Sequence, residues 1–340
     1  MITQPLILQQ QPKWQQALRQ LITDPMALLA MLGINENDIA WQWDKQFPVR
    51  VSQSFVERMR KGDPHDPLLR QVLSAPIESH SSDAFTTDPL QETLYNPVPG
   101  LLHKYPSRVL VTLTSSCAIH CRYCFRRHFP YQKNNPGRNW DAIFAYLEDH
   151  PNIIEVILSG GDPLMAQDET LALFVKGLSN IRHIELLRLH TRLPVVIPER
   201  ITLELLQALD SRFYTSMVYH INHPAELTPS IAQGVCALKK QGIQLLNQAV
   251  LLKDVNDNVE CLKNLSLALF KAGIMPYYLN LLDKVKGSEH FALPFQQAKS
   301  LQQALRQSLP GYLVPKFVKD LPHAECKVPL EALTALQYES

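Results

Sequence analysis

From about residue 108 onward, short apolar runs alternate with amphipathic stretches, and this alternation constrains the fold more than any other feature. Amphipathic stretches of helical period cover residues 140–149, 169–178, 201–208, 229–240, 258–272 and 293–308. Strands joined through crossover helices form a parallel sheet. Six such units predict an α/β chain with a partial (β/α)6 TIM-like barrel, and a doubly wound open sheet is the alternative. The apolar runs begin near Val109, Ile153, Ile184, Tyr214, Ile243 and Pro276.

The first 100 residues have a different pattern, which predicts a helical extension followed by a connector. Asp24, Pro25 and Gly33 stand where a helix cap, a first-turn proline and a terminating glycine belong. Residues 74–100 are polar and proline-bearing, which is typical of a connector that wraps over a surface. Helices are predicted over residues 26–32, 55–61 and 66–73. We expect three parts: an extension and connector over 1–100, a core over 101–293, and a carboxyl-terminal segment over 294–340.

Composition indicates a soluble enzyme. Lys and Arg number 33 against 32 Asp and Glu, so no broad basic field exists to bind nucleic acid. No export signal and no long apolar run occur, so no membrane association is expected. Three of the six cysteines share one loop, and Cys236, Cys261 and Cys326 are scattered singly. This is not a disulfide framework, and it predicts a reducing cytoplasm.

Cys117, Cys121 and Cys124 follow the first predicted core strand with C-x3-C-x2-C spacing. Three thiolates on one short loop can hold three irons of a 4Fe-4S cluster and leave the fourth iron open for chemistry. Structural zinc completed by His120 or His128 is the main alternative, and buried thiols are another. Zinc modules usually use two separated ligand pairs, and no second pair is present. We therefore predict a cluster and no zinc.

Polar residues follow each of the other predicted strands as well. In (β/α) barrels the functional groups gather at the carboxyl ends of the strands. Each motif alone has an ordinary explanation as a turn or a hydrogen-bonded polar group, but their coincidence predicts one functional rim. The motifs after the Cys loop are residues 159–163, 190–192, 220–223, 247–248 and 283–284.

Cys117, Cys121 and Cys124, with Tyr123 before the last, resemble the signature of the radical S-adenosylmethionine (SAM) enzymes. Gly160, Gly161 and Asp162 resemble the loop that receives the methionine amino group of SAM in that superfamily. A narrower resemblance, from about Pro97 to Leu330, is to the lysine 2,3-aminomutase family. The short length and the run Arg-Arg-His-Phe-Pro-Tyr at residues 126–131 make the chain most similar to the branch that supplies β-lysine for modification of elongation factor P. The segments that carry it are residues 103–108, 124–129, 247–252, 255–257 and 276–278.

The resemblance implies a radical SAM fold and a second cofactor, pyridoxal 5′-phosphate (PLP), bound by a lysine as a Schiff base. Lys316, Lys319 and Lys327 are the candidates, and Lys327 is preferred because it follows Asp320 by seven positions and precedes Val328-Pro329. One departure is that residues 322–326 replace a glycine-rich stretch that the family has before this lysine.

The resemblance also implies the substrate contacts. Arg126 matches an arginine that binds the carboxylate of lysine, and Asp283 and Asp320 match an acidic pair that binds its side-chain ammonium. Two carboxylates would favour lysine over neutral amino acids, because an uncharged substrate would leave them unpaired. Further positions are Tyr123, His220 and Gln248 near SAM, and Lys104 and Arg108 at the phosphate of PLP. An ordinary structural role is an equal alternative for Lys104, Arg108, His220 and Gln248, because Arg, Lys and His beside strand ends often form ion pairs.

The implied reaction is an isomerisation in which a radical derived from SAM allows the amino group of L-lysine to move from Cα to Cβ. The product would be β-lysine, as the R enantiomer in this branch. Implied partners are an electron donor such as flavodoxin or ferredoxin and a functional link to the elongation factor P lysyl-ligase. A homo-oligomer is compatible with the sequence, which ends about a dozen residues beyond Lys327, without the zinc-binding extension of longer aminomutases. A radical SAM maturase or activase without PLP, or a zinc-stabilised interaction protein, are the alternatives.

Overall fold

The computed structural model describes residues 13–132, 134, 137 and 140–339. In this part of the chain nine strands form one sheet, and helices lie between most of the strands. The strands are β1 (Leu101–Tyr105), β2 (Arg108–Thr114), β3 (Glu155–Gly160), β4 (Leu186–Thr191), β5 (Tyr214–His220), β6 (Gln244–Val250), β7 (Met275–Asn280), β8 (Lys316–Lys319) and β9 (Val328–Pro329). The helices are α1 (Lys13–Arg19), α2 (Pro25–Leu32), α3 (Gln53–Val56), α4 (Asp141–Glu148), α5 (Asp168–Leu178), α6 (Leu193–Val196), α7 (Leu203–Leu209), α8 (Pro229–Lys240), α9 (Val259–Ala272), α10 (Phe295–Ser308) and α11 (Ala335–Glu339).

The strands lie in the sheet in the order in which they occur in the chain. Neighbours from β2 to β8 pair in parallel, and β1 and β9 add antiparallel strands at the two edges. A doubly wound sheet would reverse its strand order at an internal switch point, which this sheet does not do. The sheet is also not closed between its edge strands. The prediction of a partial barrel is therefore confirmed.

The six predicted strands correspond to β2 through β7, but the sheet has a seventh parallel strand. β8 pairs with β7 through Tyr278 and Lys316 and through the two residue pairs that follow. It is only four residues long and has a lysine at each end, so it lacks the apolar run that revealed the others. The division at residues 100 and 293 stays a prediction, and the sheet continues past the second of these positions.

The amino-terminal extension contains the predicted helix α2, with α1 before it and shorter elements after it. The Asp24 carboxylate accepts a hydrogen bond from the backbone N–H of Met26, and Gly33 ends α2 with φ of 65°. α3 is shorter than predicted, and residues 66–73 contain only one 3-10 turn. The cause is Asp66, whose buried carboxylate accepts backbone N–H groups from Arg60, Leu68 and Leu69 and so stabilises turns.

The main hydrophobic core lies between the sheet and its helices, and the extension packs into it. Trp14 of α1 is fully buried there, with the guanidinium of Arg200 4.4 Å from its ring centre. A second core joins α9 and α10 to β7 and β8. Among the described residues, none of the helices combines the length and apolar composition that a bilayer span requires. Together the two cores fix the strand ends on which the candidate site is built.

Candidate functional site

The loop that carries the three cysteines begins where β2 ends, and the loop after β3 packs directly against it. The backbone N–H of Gly161 donates to the Thr114 carbonyl at 2.8 Å, and that of Asp162 donates to the Ser116 carbonyl at 2.8 Å. A Cβ atom on Gly161 would lie 2.3 Å from the Ser116 oxygen, and Gly160 has φ of 112°. Both positions therefore require glycine, because any side chain would push the two loops apart.

The extension holds the Cys loop from the other side. His120 donates its backbone N–H to the Arg50 carbonyl and bonds the Pro48 carbonyl through Nδ1 at 2.8 Å. The fully buried Arg122 donates from Nε to the Glu78 carboxylate at 3.0 Å, and its Nη2 pairs with Asp44 at 2.8 Å. Residues of the extension and connector thus support the Cys loop directly, a role that was not predicted from the sequence.

Two of the three thiols, those of Cys117 and Cys124, lie in surroundings that oppose ionisation unless a cation is bound. Burial raises the pKa of Cys117 well above its usual range, and nearby Asp162 adds to this shift. Burial also raises the pKa of Cys124 to about 12. Arg192 donates from Nη1 to the Cys121 sulfur at 2.8 Å and so places a positive charge beside the loop. Bound iron supplies the positive charge that thiolates need, so these residues fit a cluster.

No group of His, Cys, Asp or Glu side chains in the described ranges has a closed metal-binding geometry. The ligand set is therefore identified by its spacing, its shared loop and its charged neighbours. All six cysteines of the chain are free thiols.

The Tyr123 hydroxyl is the centre of a buried polar cluster beside Cys121 and Cys124. It accepts hydrogen bonds from Arg192 Nη1 and Asn222 Nδ2, each at 2.6 Å, and it lies 2.9 Å from His220 Nε2. Arg192 follows β4, whereas His220 and Asn222 lie at the end of β5. The cluster therefore links two strand ends to the Cys loop.

Only part of this cluster was predicted from the sequence. Tyr123 and His220 were predicted as site residues. Arg192 and Asn222 lay within the strand-end segments 190–192 and 220–223 but had no predicted role. Two further members, Gln71 and Glu226, bind Arg192 Nη2 at 2.6 and 2.9 Å. Neither belongs to a motif, so only the fold brings them to the site.

Asp162 connects the loops after β3 and β4. Its carboxylate accepts from the Thr191 hydroxyl at 2.7 Å and from the backbone N–H groups of Arg192 and Leu193 at 2.7 and 2.8 Å. These bonds occupy the carboxylate within the protein. The groups of this loop that remain for a ligand are thus those of its glycine backbone. One of them, the Gly160 carbonyl, already accepts a hydrogen bond from the Tyr131 hydroxyl at 2.6 Å.

Lys327 lies beside both predicted carboxylates. Its ammonium donates to Asn280 Oδ1 at 3.1 Å and to Asp320 at 3.3 Å. Burial raises the pKa of Asp283 to about 7, although nearby Lys327 acts in the opposite direction. For Asp320, burial is outweighed by Lys327 and Lys104, and the pKa is lowered. The structure therefore brings these groups together as one carboxylate that stays charged and one that is about half protonated at neutral pH.

Lys104 is placed with the acidic pair. It forms an ion pair with Asp320 and donates to the Leu321 carbonyl at 2.6 Å. Tyr105 donates its hydroxyl to the same carboxylate at 3.0 Å. The loop over 322–326, which departs from the family pattern, is further bound through the Pro322 carbonyl by the Tyr95 hydroxyl. Lys104 is thus engaged by a carboxylate, as an ordinary ion pair would be.

Two guanidinium groups mark a cationic region inside the barrel. Arg108 lies at the start of β2, 4.2 Å over the Tyr105 ring, and Arg188 of β4 makes a bidentate pair with Glu155. Arg108 and Arg188 both oppose the rise that burial causes in the pKa of Tyr278. A guanidinium such as that of Arg108 can bind the phosphate of a phosphorylated cofactor, and a lysine such as Lys327 can bind its aldehyde, so the residues present fit PLP.

The Nε2 nitrogen of His190, near the end of β4, is buried and has no hydrogen-bond partner among the described residues. Burial lowers its pKa well below the usual range, and Arg188, Lys327 and Arg126 reinforce this shift. The ring is therefore neutral and retains an open hydrogen-bonding nitrogen. Gln248 of β6 pairs in register with His220 at the same rim.

Arg126 lies two positions beyond Cys124 in the sequence and is buried. Its guanidinium has a partner that was not predicted from the sequence. Glu92, in the connector, binds it through both carboxylate oxygens, at 2.8 Å from Nε and 2.6 Å from Nη2. Nη1 donates to the Ser159 hydroxyl at 3.2 Å. Glu92 raises the pKa of Arg126, which burial alone would lower.

Comparison with known proteins agrees with this arrangement. Residues 107–187 match the family model described as a 4Fe-4S single cluster domain, a range that contains the Cys loop and the loop after β3. The L-lysine 2,3-aminomutase of Escherichia coli (strain K12) is 46% identical over 323 residues, which cover 94% of this chain and 94% of that protein.

Two other relatives have the same name. The L-lysine 2,3-aminomutase of Haemophilus influenzae is 45% identical over 325 residues, covering 94% of this chain and 96% of the relative. The one from Clostridium subterminale is 35% identical over 320 residues, covering 94% of this chain and 77% of the relative. On these similarities and on the arrangement of its site, the chain belongs to the lysine 2,3-aminomutase family, which comprises radical SAM isomerases that use a 4Fe-4S cluster, SAM and PLP.

Proposed function

We propose that this chain converts L-lysine to (R)-β-lysine and so supplies the β-lysine that is used to modify elongation factor P. The observation that carries the proposal is the grouping of Lys327, Asp283 and Asp320 at the rim that also bears the Cys loop. The residues that resemble the elongation factor P branch, 126–131, lie at this rim too, since Tyr131 bonds the Gly160 carbonyl.

When bound, the cluster with SAM supplies a carbon radical, and PLP supplies a π-system across which nitrogen can migrate. Within this scheme Cys117, Cys121 and Cys124 hold iron, and Lys327 holds PLP. The backbone of Gly160 and Gly161 receives the methionine part of SAM, with Tyr123, His220 and Gln248 nearby. Arg108 binds the phosphate of PLP, whereas Lys104 serves as the counterion of Asp320.

Substrate recognition follows from charge. Arg126 binds the carboxylate of lysine, and Asp283 with Asp320 binds its side-chain ammonium. Asp320 is already paired with Lys104 and accepts from the Tyr105 hydroxyl, so the new ammonium has its larger effect on Asp283. Fixed contacts at both ends of the substrate hold Cβ in one place, which a radical reaction requires.

The reaction has no net redox change, so an electron is needed only to reduce the cluster. A flavodoxin or ferredoxin is the proposed donor, and the elongation factor P lysyl-ligase is the proposed consumer of the product. The free thiols of all six cysteines agree with a reducing compartment such as the cytoplasm.

The test is an anaerobic assay of the reduced, iron-reconstituted protein with SAM, PLP and L-lysine, followed by chiral analysis of the amino acids. We expect (R)-β-lysine. Lys327→Ala is expected to lose both the absorbance band of bound PLP and turnover, whereas Lys316→Ala, at an exposed lysine, retains both.

Each part of the proposal has its own contrary result. Unchanged lysine with cluster and PLP in place would exclude lysine as the substrate, and the S enantiomer would exclude the stereochemical assignment. A PLP band that survives in Lys327→Ala would reassign the PLP lysine. Turnover that needs no PLP would indicate a PLP-independent radical SAM enzyme.

A further inference from the structure

The ion pair between Glu92 and Arg126 connects the connector to the rim of the barrel. Both side chains are largely buried, with exposed fractions of 14% and 6%. Glu92 begins a 3-10 turn over residues 92–95, and its backbone N–H donates to the Asp88 carboxylate at 3.0 Å. Such a pair costs desolvation energy, and removing one partner leaves the other charge buried and unpaired.

The connector around Glu92 is fixed to the two loops that follow the last parallel strands. On one side, Thr86 exchanges backbone hydrogen bonds with Lys284 and Lys286, next to Asp283. On the other side, the Tyr95 hydroxyl binds the Pro322 carbonyl in the loop before Lys327. Glu92 therefore lies on a segment of the connector that is bonded on both sides. One side is bonded to the loop that bears the proposed ammonium-binding carboxylate, and the other to the loop that bears the proposed PLP lysine.

The atoms that Glu92 contacts decide what Arg126 can still bind. A guanidinium has a side edge, formed by Nε and Nη2, and an end edge, formed by Nη1 and Nη2. Glu92 takes the side edge with both oxygens, and Ser159 takes one N–H of Nη1. Among bonds between described residues, one N–H of Nη2, which points along the end edge, and one N–H of Nη1 are left. A second carboxylate can bind there without displacing Glu92.

We propose that Glu92 is a positioning residue that orients Arg126 so that its end edge takes the α-carboxylate of the amino-acid substrate. This inference rests on the proposed function. An arginine that is turned and neutralised beforehand loses little conformational freedom when the substrate arrives. The opposite arrangement, in which the substrate carboxylate must replace Glu92, predicts an effect of opposite sign.

The test compares Glu92→Gln with the wild-type enzyme and with a matched variant, Glu289→Gln. The glutamine side chain in Glu92→Gln keeps the size of the original but loses the charge that holds the guanidinium. Glu289 binds the backbone N–H and the hydroxyl of Ser82, so it tethers the same connector away from Arg126. We expect Glu92→Gln to raise KM for L-lysine about tenfold with a smaller change in kcat, and Glu289→Gln to leave both within about twofold.

A ligand without a carboxylate separates positioning from a general structural effect. Titration of the PLP absorbance band with L-lysine gives a dissociation constant that does not depend on turnover, and L-lysinamide provides the comparison. The Glu92→Gln variant should bind L-lysine about tenfold more weakly than wild type and L-lysinamide equally well, because the amide has no carboxylate to position.

The outcomes distinguish the explanations. A lower KM or tighter lysine binding in Glu92→Gln would mean that Glu92 competes with the substrate, and equal weakening for lysine and lysinamide would mean a structural role; either overturns the inference. A wild-type enzyme that forms no β-lysine contradicts the proposed function, whereas an active wild type with unchanged binding in Glu92→Gln contradicts only the inference.

Discussion

Two carboxylates near Lys327, those of Asp320 and Asp283, have pKa values that are shifted in opposite directions. Asp320 accepts from Lys104, Tyr105 and Lys327, and its pKa is lowered. Asp283 has no comparable set of donors among the described residues, and burial raises its pKa to about 7. Two neighbouring acids whose environments separate their pKa values can take different roles. Here one carboxylate stays charged, and the other is ready to ionise when a cation arrives.

This difference predicts a pH-dependent affinity for the substrate. Below pH 7 Asp283 is protonated in the free enzyme and must lose its proton to pair with an ammonium, so we expect KM for L-lysine to rise as the pH falls, by up to about tenfold per pH unit. Steady-state kinetics between about pH 6 and 8 measure the slope. Asp283→Asn should bind lysine weakly at every pH and lose this slope; an unchanged slope would assign the titration to another group.

At the scale of single elements, the closest approach in the site is between the loops after β2 and β3. The backbone of Gly161 lies against Ser116, and Asp162 ties the same loop to the end of β4. The position of the Cys loop thus depends on a glycine that is not itself a proposed iron ligand. Packing of this kind cannot relax, because backbone lies on both sides.

Gly161→Ala is therefore expected to separate the two loops. The added methyl group would lie 2.3 Å from the Ser116 oxygen, and the shift that it forces should cost about 1–3 kcal/mol of stability and reduce the iron content after reconstitution. Iron analysis and thermal unfolding are the measurements. Gly311→Ala is the control, since a Cβ there meets no atom within 4 Å. Full iron occupancy at unchanged stability would show that the loops can move apart without loss.

The sequence predicts elements well where the pattern is local. The termini of α8 match the prediction, and Asp24 and Gly33 bound α2 as expected. β8 was missed because four residues with lysines at both ends have no readable period. Within the site, the rim was predictable because parallel strands end together. Glu92 and Gln71 were not, because their contacts depend on how the connector and extension fold back on the barrel.

At the scale of the whole molecule, the barrel is open between its first and last parallel strands. Side chains bridge this opening: Lys104 and Tyr105 of β1 both bind Asp320, which follows β8. Lys104 and Asp320 are each only 13% exposed, so their attraction is weakly screened. This ion pair therefore joins the two sides of the open barrel next to Lys327.

Lys104→Met should loosen that junction. We expect a loss of about 3 kcal/mol in the free energy of unfolding and faster hydrogen exchange over residues 316–329, because Asp320 loses one of its buried partners. Denaturant unfolding and exchange mass spectrometry measure these effects. Arg306→Met is the control, because it removes an ion pair with Glu331 in which both side chains are about half exposed, and should cost under about 1 kcal/mol. Equal losses in the two variants would contradict the bridging role.

The contacts between the extension and His120 and Arg122 affect how the enzyme binds and retains its iron–sulfur cluster. Those bonds join protein groups to one another, so the shape of the loop is set by ordinary folding and not by the metal. Cluster assembly then requires the delivery of iron and sulfide to a loop that already has its folded shape. We therefore expect that a molecule whose cluster has been destroyed by oxygen can be reconstituted without unfolding.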